Sequence, residues 1–287
     1  MRYTVFGAGS VGTVLAGLLA SRGIDVRIAG RGACGDLVLE GDEETVRVRV
    51  PVVEEPEGVI LLCVHESDVA DLAPRFAGRT VVTFPNGVIA ERVAARWCDV
   101  VGAVWRMTCT WTAPGRALFT RRGRVVLQSS PIVDDFVAAG FDVGVSTDIE
   151  ADLWLKLLCN IGSTPNAIIA ARDHTDLRFG ELKASLVREA WDVLRSRGIE
   201  ARSCDGRDAS PEEEIERQRT AKPRVRPVHN DTWRQLQRGI RPSERYHATI
   251  ASLGPAPRNE AMDRLLDEAV GPECFRLDEV VGRIGRT

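Results

Sequence analysis

A single lysine inside an apolar stretch is the residue of this sequence best suited to acid–base chemistry. The stretch Ala151–Ala171 (ADLWLKLLCNIGSTPNAIIAA) is apolar enough for a buried helix, and Lys156 lies in its middle. At helical spacing Asn160 follows one turn later, and Ser163 and Thr164 follow one turn after that. Of the 38 lysine and arginine residues, only three are lysines. Because an ammonium can release its proton and a guanidinium cannot, the pattern indicates a proton donor; a lysine that extends to the surface is the alternative.

A glycine pattern near the N-terminus suits the binding of a dinucleotide. The strand-forming segment Arg2–Phe6 runs into GAGSVG (residues 7–12), and an apolar helix is predicted over Thr13–Ser21. The first glycine permits a tight turn, the second lets backbone approach a pyrophosphate, and the third lets helix and strand pack closely. The residues expected to contact the cofactor are Gly7, Gly9, Ser10, Val11 and Gly12. A glycine-rich turn without a ligand is the alternative.

Arg31 is the reason to expect NADP rather than NAD. It follows Gly30 at the end of the second predicted strand, Asp25–Ala29. NAD-binding proteins usually have Asp or Glu at this strand end for the ribose 2′-hydroxyl, whereas an arginine accommodates a 2′-phosphate. A solvated loop arginine is the alternative interpretation.

The elements that must position these residues begin with an α/β half. Further strands are predicted at Val59–Val64, Thr80–Phe84, Val100–Thr112, Arg124–Ser129 and Asp142–Val145, and helices at Asp68–Phe76 and Ile89–Arg96. The turn Pro85-Asn86-Gly87 follows the fourth strand, at the edge where open α/β sheets bind ligands. Asn86 is therefore a candidate site residue, or else only a turn former.

From Glu150 onward the pattern predicts helices alone. Besides the Lys156 segment they are expected at Leu182–Arg197, Pro211–Thr220, His229–Arg238, Arg245–Leu253, Glu260–Ala269 and Leu277–Arg283. The predicted fold class is α/β, a Rossmann-type doubly wound parallel sheet followed by an all-α C-terminal domain. Residues 1–149 are expected to bind NADP, and residues 150–287 to carry the substrate and catalytic groups.

Composition narrows the classes of function. The sequence is 44% hydrophobic and 28% charged, with a formal net charge of -3, which gives no reason to expect a nucleic acid or an anionic membrane as partner. The seven cysteines form no CxxC pair, so buried free thiols in a reducing cytosol are expected, and no metal site is predicted. The protein is accordingly expected to be cytoplasmic.

Five motifs together resemble the ketopantoate reductase (2-dehydropantoate 2-reductase) family over nearly the whole chain. They are GAGSVG; Pro85-Asn86-Gly87, where the family has Q-N-G; Trp154–Asn160, like W-x-K-L-x-x-N; His229–Gly239, like H-N-S-T-W-x-x-L-x-R-G; and Pro257–Glu260, like P-x-N-E. The resemblance implies a Rossmann domain that carries NADPH and a helical C-terminal domain. It also implies hydride transfer from the nicotinamide to the ketone carbon of a 2-oxo acid.

The resemblance further implies catalytic roles for three residues. Lys156 would polarise the carbonyl and supply the proton, Asn86 would position lysine and substrate, and Asn160 would hydrogen-bond the substrate. The chemistry of the residues agrees, because reduction of a ketone builds alkoxide charge that a preorganised ammonium can stabilise and then protonate.

The sequence departs from the family at its substrate end. The family's second catalytic residue, a glutamate in a T-E-V-D-Y-like segment, aligns with Ser243, and Glu244 comes one residue later. On a helix one step is a rotation of about 100°, so Glu244 is expected to need a local shift. Asp231 replaces a hydroxyl residue of H-N-S-T-W, where it would repel a substrate carboxylate or pair with Lys156.

Two further departures lie nearby. The family's second asparagine after the lysine is Ser163 or Thr164, depending on alignment, and its N-G after the tyrosine segment is Ala248-Thr249. The tentative substrate residues are Ser163, Thr164, Asp231, Ser243 and Glu244.

The leading hypothesis is an NADPH-dependent reductase, resembling 2-dehydropantoate 2-reductase, that acts on a small oxo compound of the 2-oxo acid class. The alternative is a non-catalytic NADP(H)-binding protein derived from that family. A third and weaker hypothesis is another two-domain dehydrogenase, of the hydroxyacyl or opine type. The expected partner is a small-molecule carbonyl substrate, with neither nucleic acid nor membrane, and a homodimer is left open. The sequence does not name the substrate.

Overall fold

The computed structural model of the chain describes residues 1–42, 44–119, 123–220 and 230–285. It divides into two compact units, Met1–Asp152 and Leu153–Thr287, which are treated separately below. His229, the first residue of the predicted helix His229–Arg238, lies outside the described residues.

A seven-stranded sheet forms the frame of the first unit. Its strands are β1 (Arg2–Phe6), β2 (Asp25–Ala29), β5 (Val59–Leu62), β6 (Thr80–Thr83), β7 (Asp99–Trp105), β10 (Arg124–Gln128) and β11 (Asp142–Ser146). Their order is β11-β10-β7-β6-β5-β1-β2, and only β10 runs antiparallel to a neighbour, β7. The central strands are continuous buried runs, as expected for a parallel sheet covered on both faces. The predicted Rossmann-type α/β fold is confirmed.

A second, four-stranded sheet was missed by the sequence interpretation. It consists of β3 (Asp36–Gly41), β4 (Thr45–Arg49), β8 (Cys109–Ala113) and β9 (Arg116–Phe119), in the order β4-β3-β9-β8. The prediction of one strand over Val100–Thr112 was therefore wrong, because β7 and β8 within it belong to different sheets. A continuous apolar run does not show where a chain leaves one sheet for another.

The small sheet explains why the first helix is apolar on all sides. Helix α1 (Ser10–Ala20) packs against β1 and β2 and also against all four strands of the second sheet, and Gly12–Leu19 are buried without interruption. At Gly17 the approach is close, because a Cβ there would lie 2.6 Å from Leu39 Cδ1 of β3. A helix enclosed on both sides has no need of a polar face.

The other helices of the first unit are short. They are α2 (Val69–Leu72), flanked by 3-10 turns at Glu66–Asp68 and Ala73–Phe76, then α3 (Ala90–Ala94) and α4 (Ile132–Ala138). The predicted helix over Asp68–Phe76 is thus a mixture of helix types, because Pro74 removes a backbone donor inside it. Helix α4 was not predicted.

The second unit is helical, as predicted. Its helices are α5 (Ile149–Ser163), which begins in the first unit, α6 (Pro165–Ile168), α7 (Leu177–Ser196), α8 (Pro211–Thr220), α9 (Asp231–Gln237), α10 (Tyr246–Leu253), α11 (Pro257–Glu268) and α12 (Leu277–Ile284). The single helix expected over Ala151–Ala171 ends at Ser163, because Pro165 begins a new helix. Within the described ranges, no helix combines the length and hydropathy needed to cross a membrane.

Candidate functional site

Two of the glycines in GAGSVG lie where no side chain would fit. Gly7 has a φ of +111°, and a Cβ on it would lie 2.2 Å from the carbonyl oxygen of Cys63. A Cβ on Gly12 would lie 1.8 Å from the carbonyl oxygen of Gly7. Above Gly9, in contrast, no described atom lies within 4 Å of a Cβ. The loop is therefore held tightly on its protein side and leaves room at Gly9 for a ligand to approach the backbone.

The start of α1 is suited to an anion. Intrahelical bonding begins with the Thr13 N–H donating to the Gly9 carbonyl at 2.9 Å, so the N–H groups of Ser10, Val11 and Gly12 precede it. The first turn holds no acidic residue, and no side chain caps it. Amide donors and the positive end of the helix dipole can therefore meet a pyrophosphate without a competing carboxylate.

Arg31 is an exposed residue beside this loop. The Gly7 N–H donates to the Ala29 carbonyl at 3.0 Å, which fastens the loop to the end of β2, two residues before Arg31. The flanking Gly30 and Gly32 have φ values of +108° and +74°, so the chain turns sharply on both sides of the arginine. The guanidinium thus stands at the strand end where a ribose 2′-substituent is recognised in this class of fold.

Asn86 lies on the loop between β6 and α3, at the same edge of the sheet as the glycine loop. It is half-buried, whereas Pro85 and Gly87 on either side are buried. The Glu66 carboxylate accepts the Ile89 N–H at 2.7 Å, and a Cβ on Gly87, at φ +120°, would lie 2.2 Å from Glu66 Oε1. Glu66 therefore fixes the conformation of the loop that presents Asn86.

Glu91 supports the same loop from its other end and was missed by the sequence interpretation. The Thr83 hydroxyl donates to Glu91 Oε1 at 2.6 Å, and the buried Oε2 has no hydrogen-bond partner among the described residues. The pKa of the Glu91 carboxyl is raised to about 7, mainly by burial and to a smaller extent by the charges of Glu66 and Glu150, while the Thr83 hydrogen bond opposes the rise. Nothing in the local sequence distinguishes this glutamate from an exposed helical one.

In the second unit, the polar stripe predicted on α5 is present. From Ala151 to Ser163 the only positions that keep partial exposure are Lys156, Cys159, Asn160 and Ser163. Their spacing of three, four and seven residues places them on one face of the helix. The lysine is therefore neither sealed in the core nor fully solvated, which is the setting an acid–base group requires.

Ser163 and Thr164 form hydrogen bonds with the last turn of this helix. Their hydroxyls both donate to the Asn160 carbonyl, at 2.8 and 3.2 Å, and Thr164 is buried. The two hydroxyls share this carbonyl with the Thr164 N–H, which donates to it at 3.2 Å in the last turn of the helix. The hydroxyl donors are used locally, so any substrate contact would go through the oxygen lone pairs.

Asn230, which the sequence interpretation did not select, joins α5 to α9. Its side-chain amide donates to the Ser163 carbonyl at 3.0 Å, and its Oδ1 accepts the Trp233 N–H at 2.9 Å as the N-cap of α9. Because one side chain makes both bonds, the start of α9, and with it Asp231, is fixed relative to the end of α5.

Asp231, Ser243 and Glu244 are brought together around a residue that the sequence interpretation missed, Gln235. The Gln235 Nε2 donates to Asp231 Oδ2 at 2.5 Å, and lies 3.1 Å from both Ser243 Oγ and Glu244 Oε2. The Gln235 Oε1 accepts the Ser243 N–H at 2.7 Å. Gln235 lies one helical turn after Asp231, which is the only signal of this pairing in the sequence.

The position of Glu244 corrects an expectation. Helix α10 begins at Tyr246, so Ser243 and Glu244 precede it, and a one-residue step there is not a helical rotation of 100°. The Glu244 side chain is 6% exposed and its Oε2 accepts the Ser243 hydroxyl at 2.9 Å. It therefore needs no helical shift to enter the polar cluster.

Comparison with known proteins supports the resemblance. Residues 3–131 match the family model described as ketopantoate reductase PanE/ApbA. The 2-dehydropantoate 2-reductase of Mesorhizobium japonicum is 27% identical over 265 residues, covering 70% of this chain and 80% of that protein. The chain is thus similar to ketopantoate reductases, by the family model over residues 3–131 and at low identity over a longer stretch. The model match covers most of the first unit, and the aligned relative extends the similarity beyond it.

Solved structures share the fold of this chain. A PanE/ApbA family ketopantoate reductase from Ralstonia eutropha has a TM-score of 0.77 at 22% identity, covering 94% of this chain and 98% of that one. D-mandelate dehydrogenase, solved with NADH and anilino(oxo)acetate, has a TM-score of 0.75 at 15% identity, covering 98% and 99%. At these identities the likeness shows the fold alone.

The segment that resembles the P-x-N-E motif of the ketopantoate reductase family holds a buried histidine. The Asn259 Oδ1 lies 2.7 Å from His247 Nδ1, and its Nδ2 donates to the Leu186 carbonyl and to Glu189. Burial lowers the pKa of His247 to about 4, so the ring is neutral near pH 7. Glu189 also accepts the N–H groups of Arg258 and Asn259, which caps α11 from another helix. The motif is thus part of the packing of α7, α10 and α11.

Proposed function

We propose that this protein is an NADPH-dependent reductase of a small oxo compound of the 2-oxo acid class. Residues 1–149 would hold the cofactor, and residues 150–287 would supply the proton donor and the substrate contacts. Similarity to an oxidoreductase family supports the reaction type. The single observation that carries the assignment to this chain is the partly exposed stripe of Lys156, Cys159, Asn160 and Ser163 on a helix that is otherwise buried from Ala151 onward.

Lys156 is the proposed proton donor. Reduction of a ketone places negative charge on the carbonyl oxygen, and a positioned ammonium stabilises that charge before it releases a proton. The attraction between the ammonium and the developing negative charge is stronger in partly buried surroundings than in bulk water. Asn160, one turn further along the same face, would donate a hydrogen bond to the substrate. Asn86 would hold substrate and lysine in the reactive arrangement.

The residues of the first unit fit a dinucleotide phosphate. The room above Gly9 and the amide donors of residues 10–12 would hold the pyrophosphate, and Arg31 would pair with the 2′-phosphate. When bound, NADPH supplies the hydride. Arginine matches phosphate geometry with two parallel hydrogen bonds, which a neutral 2′-hydroxyl cannot form, and this favours NADPH over NADH.

Glu244 is proposed to take the place of the glutamate that is the second catalytic residue in ketopantoate reductases. Its burial, and its hydrogen bonds from Gln235 and Ser243, give it a defined orientation. The alternative of a non-catalytic NADP(H)-binding protein was motivated by the apparent loss of this glutamate. Because Glu244 lies before α10 and inside the polar cluster, that motivation is weakened.

The substrate need not be ketopantoate itself. Asp231 is exposed and bonded to Gln235, so a carboxylate stands where a hydroxyl would assist binding of a 2-oxo acid. We therefore expect the preferred substrate to differ from ketopantoate near its carboxylate.

A substrate panel tests the proposal. NADPH consumption, followed by absorbance with ketopantoate and then with a range of 2-oxo acids, oxo amides and other ketones, should reveal a turnover that Lys156→Ala abolishes. Calorimetric titration with NADPH provides the independent measure of cofactor binding. Tight NADPH binding without turnover of any compound would overturn the proposal in favour of the non-catalytic alternative.

A further inference from the structure

Gln235 is the centre of the polar cluster in the second unit, and its amide orientation is determined by its neighbours. The Ser243 N–H can only donate, so the atom 2.7 Å from it must be the amide oxygen. The amide nitrogen then faces three oxygens, those of Asp231, Ser243 and Glu244. With Gln235 only 7% exposed, solvent cannot take the place of these partners.

Two carboxylates thus share one neutral donor. An amide nitrogen has two hydrogens, and here it serves Asp231 Oδ2 at 2.5 Å and Glu244 Oε2 at 3.1 Å. Like charges that approach one another raise each other's pKa, and donors placed between them oppose that rise. The Ser243 hydroxyl, which donates to Glu244 Oε2 at 2.9 Å, is a second donor to the same oxygen.

Two arginines on the segment around Glu244 pair with acids of α11. Arg245 contacts Asp263 and Asp267 of α11, and Arg241 contacts Asp267. From α9, the acid that shares the amide with Glu244 is Asp231. Two of the donors to the Glu244 carboxylate, the Gln235 amide and the Ser243 hydroxyl, are neutral, and both stabilise its ionised form.

We propose that Gln235 is a positioning residue that fixes the orientation and the ionised form of the Glu244 carboxylate, and that Asp231 and Ser243 are its partners in this task. In this assignment the two departures from the family at Asp231 and Ser243 belong together: both side chains contact the amide that holds Glu244. A catalytic use of the Glu244 carboxylate rests on the proposed function. The coupling between Gln235 and Glu244 can be tested without it.

Measuring the pKa of Glu244 by NMR tests whether Gln235 and Glu244 are coupled. The full-length protein is labelled with ¹³C at glutamate side-chain carboxyls, the Glu244 signal is assigned by its loss in Glu244→Gln, and the signal is titrated with pH in the absence of substrate. Gln235→Leu should raise the pKa of Glu244 by about one to two units, because one donor to the ionised form is lost. Gln235→Glu should raise it at least as much, because it replaces the donor by a third carboxyl group. The exposed Gln237 on the same helix gives the matched control, and Gln237→Leu should leave the titration unchanged.

The outcomes separate this inference from the proposed function. If the pKa of Glu244 is unchanged in a folded Gln235→Leu or Gln235→Glu variant, Gln235 only connects neighbouring segments, and the inference is overturned. Should the leucine variant not fold, the glutamate variant alone decides. With a substrate from the panel, the acidic limb of the kcat/KM pH profile should shift in the same direction as the NMR titration. An inactive wild-type protein whose Glu244 titration still responds to Gln235 would overturn the proposed function and support the inference.

Discussion

The Thr83 hydroxyl, at the end of β6, donates a 2.6 Å hydrogen bond to the Glu91 carboxylate on α3. The bond spans the loop that presents Asn86, and Glu66 holds the same loop through the Ile89 N–H. A loop held by two carboxylates can keep a side chain in place without regular secondary structure. It also makes the stability of the first unit depend on pH.

Glu91→Gln should make the protein more stable at and above neutral pH. The pKa of Glu91 is raised from 4.5 to about 7 in the folded state, so the folded protein binds this proton more tightly than the unfolded chain. The free energy of unfolding should therefore fall as pH rises between these two values and then level off. Because glutamine does not ionise, Glu91→Gln removes this pH-dependent loss of unfolding free energy, which amounts to about 3 kcal/mol at most. Urea unfolding of both proteins across this window measures it.

The exposed Asp71 on α2 provides the control for Glu91. Asp71→Asn should leave the pH dependence of unfolding as in the wild type. Parallel stability curves for wild type and Glu91→Gln would show that folding does not raise the pKa of Glu91.

Lys156→Ala should reduce turnover by roughly 10²–10⁴-fold with little change in NADPH affinity, because the proposed acid–base group is lost. Lys156→Arg should not restore activity, since a guanidinium keeps its proton at any working pH and is bulkier. Steady-state kinetics, NADPH titration and melting temperature are measured on both variants. Cys159→Ala, a change on the same face of α5, is the control. An arginine variant with wild-type turnover would assign Lys156 a structural role.

Arg31→Ala should weaken NADPH binding and leave NADH binding nearly unchanged. A charge-assisted hydrogen bond of this kind is worth about 1.5–3 kcal/mol, which is roughly a tenfold to hundredfold change in the dissociation constant. Arg27 lies in β2 and pairs with Asp25, so Arg27→Ala is the control for loss of positive charge in this region. Equal dissociation constants of the wild type for the two cofactors would contradict the assignment.

Ketopantoate should be a poor substrate, and Asp231→Ser should improve the turnover of 2-oxo acids. The change removes a negative charge that opposes a substrate carboxylate. The expected signature is a lower KM for ketopantoate and for other 2-oxo acids, with a smaller effect on uncharged ketones. Efficient reduction of ketopantoate by the wild-type protein would show that Asp231 does not face the substrate carboxylate.

Local sequence was sufficient wherever local geometry decides the structure. The turn at Gly7 requires a positive φ, and no Cβ fits at Gly12, so the glycine pattern alone located the tight loop between β1 and α1. The spacing of Lys156, Asn160 and Ser163 placed them on one helical face, because an α-helix has a fixed period. The boundaries of α8 followed in the same way from its proline start and the charge pattern along it.

Only the tertiary structure decided the contacts between residues far apart in the chain. Strands β3 and β9 pair although more than seventy residues separate them, and an alternating pattern does not name its partner strand. Gln235 and Glu91 look like surface residues of short helices until Ser243 and Glu244, or Thr83, are placed against them. The sequence by itself determined which side chains are suited to acid–base chemistry and which of them lie on a common helix face. The burial that gives Glu91 its raised pKa, and the convergence of Asp231 and Glu244 on one amide, come from packing, because both depend on which distant segments exclude water from those groups.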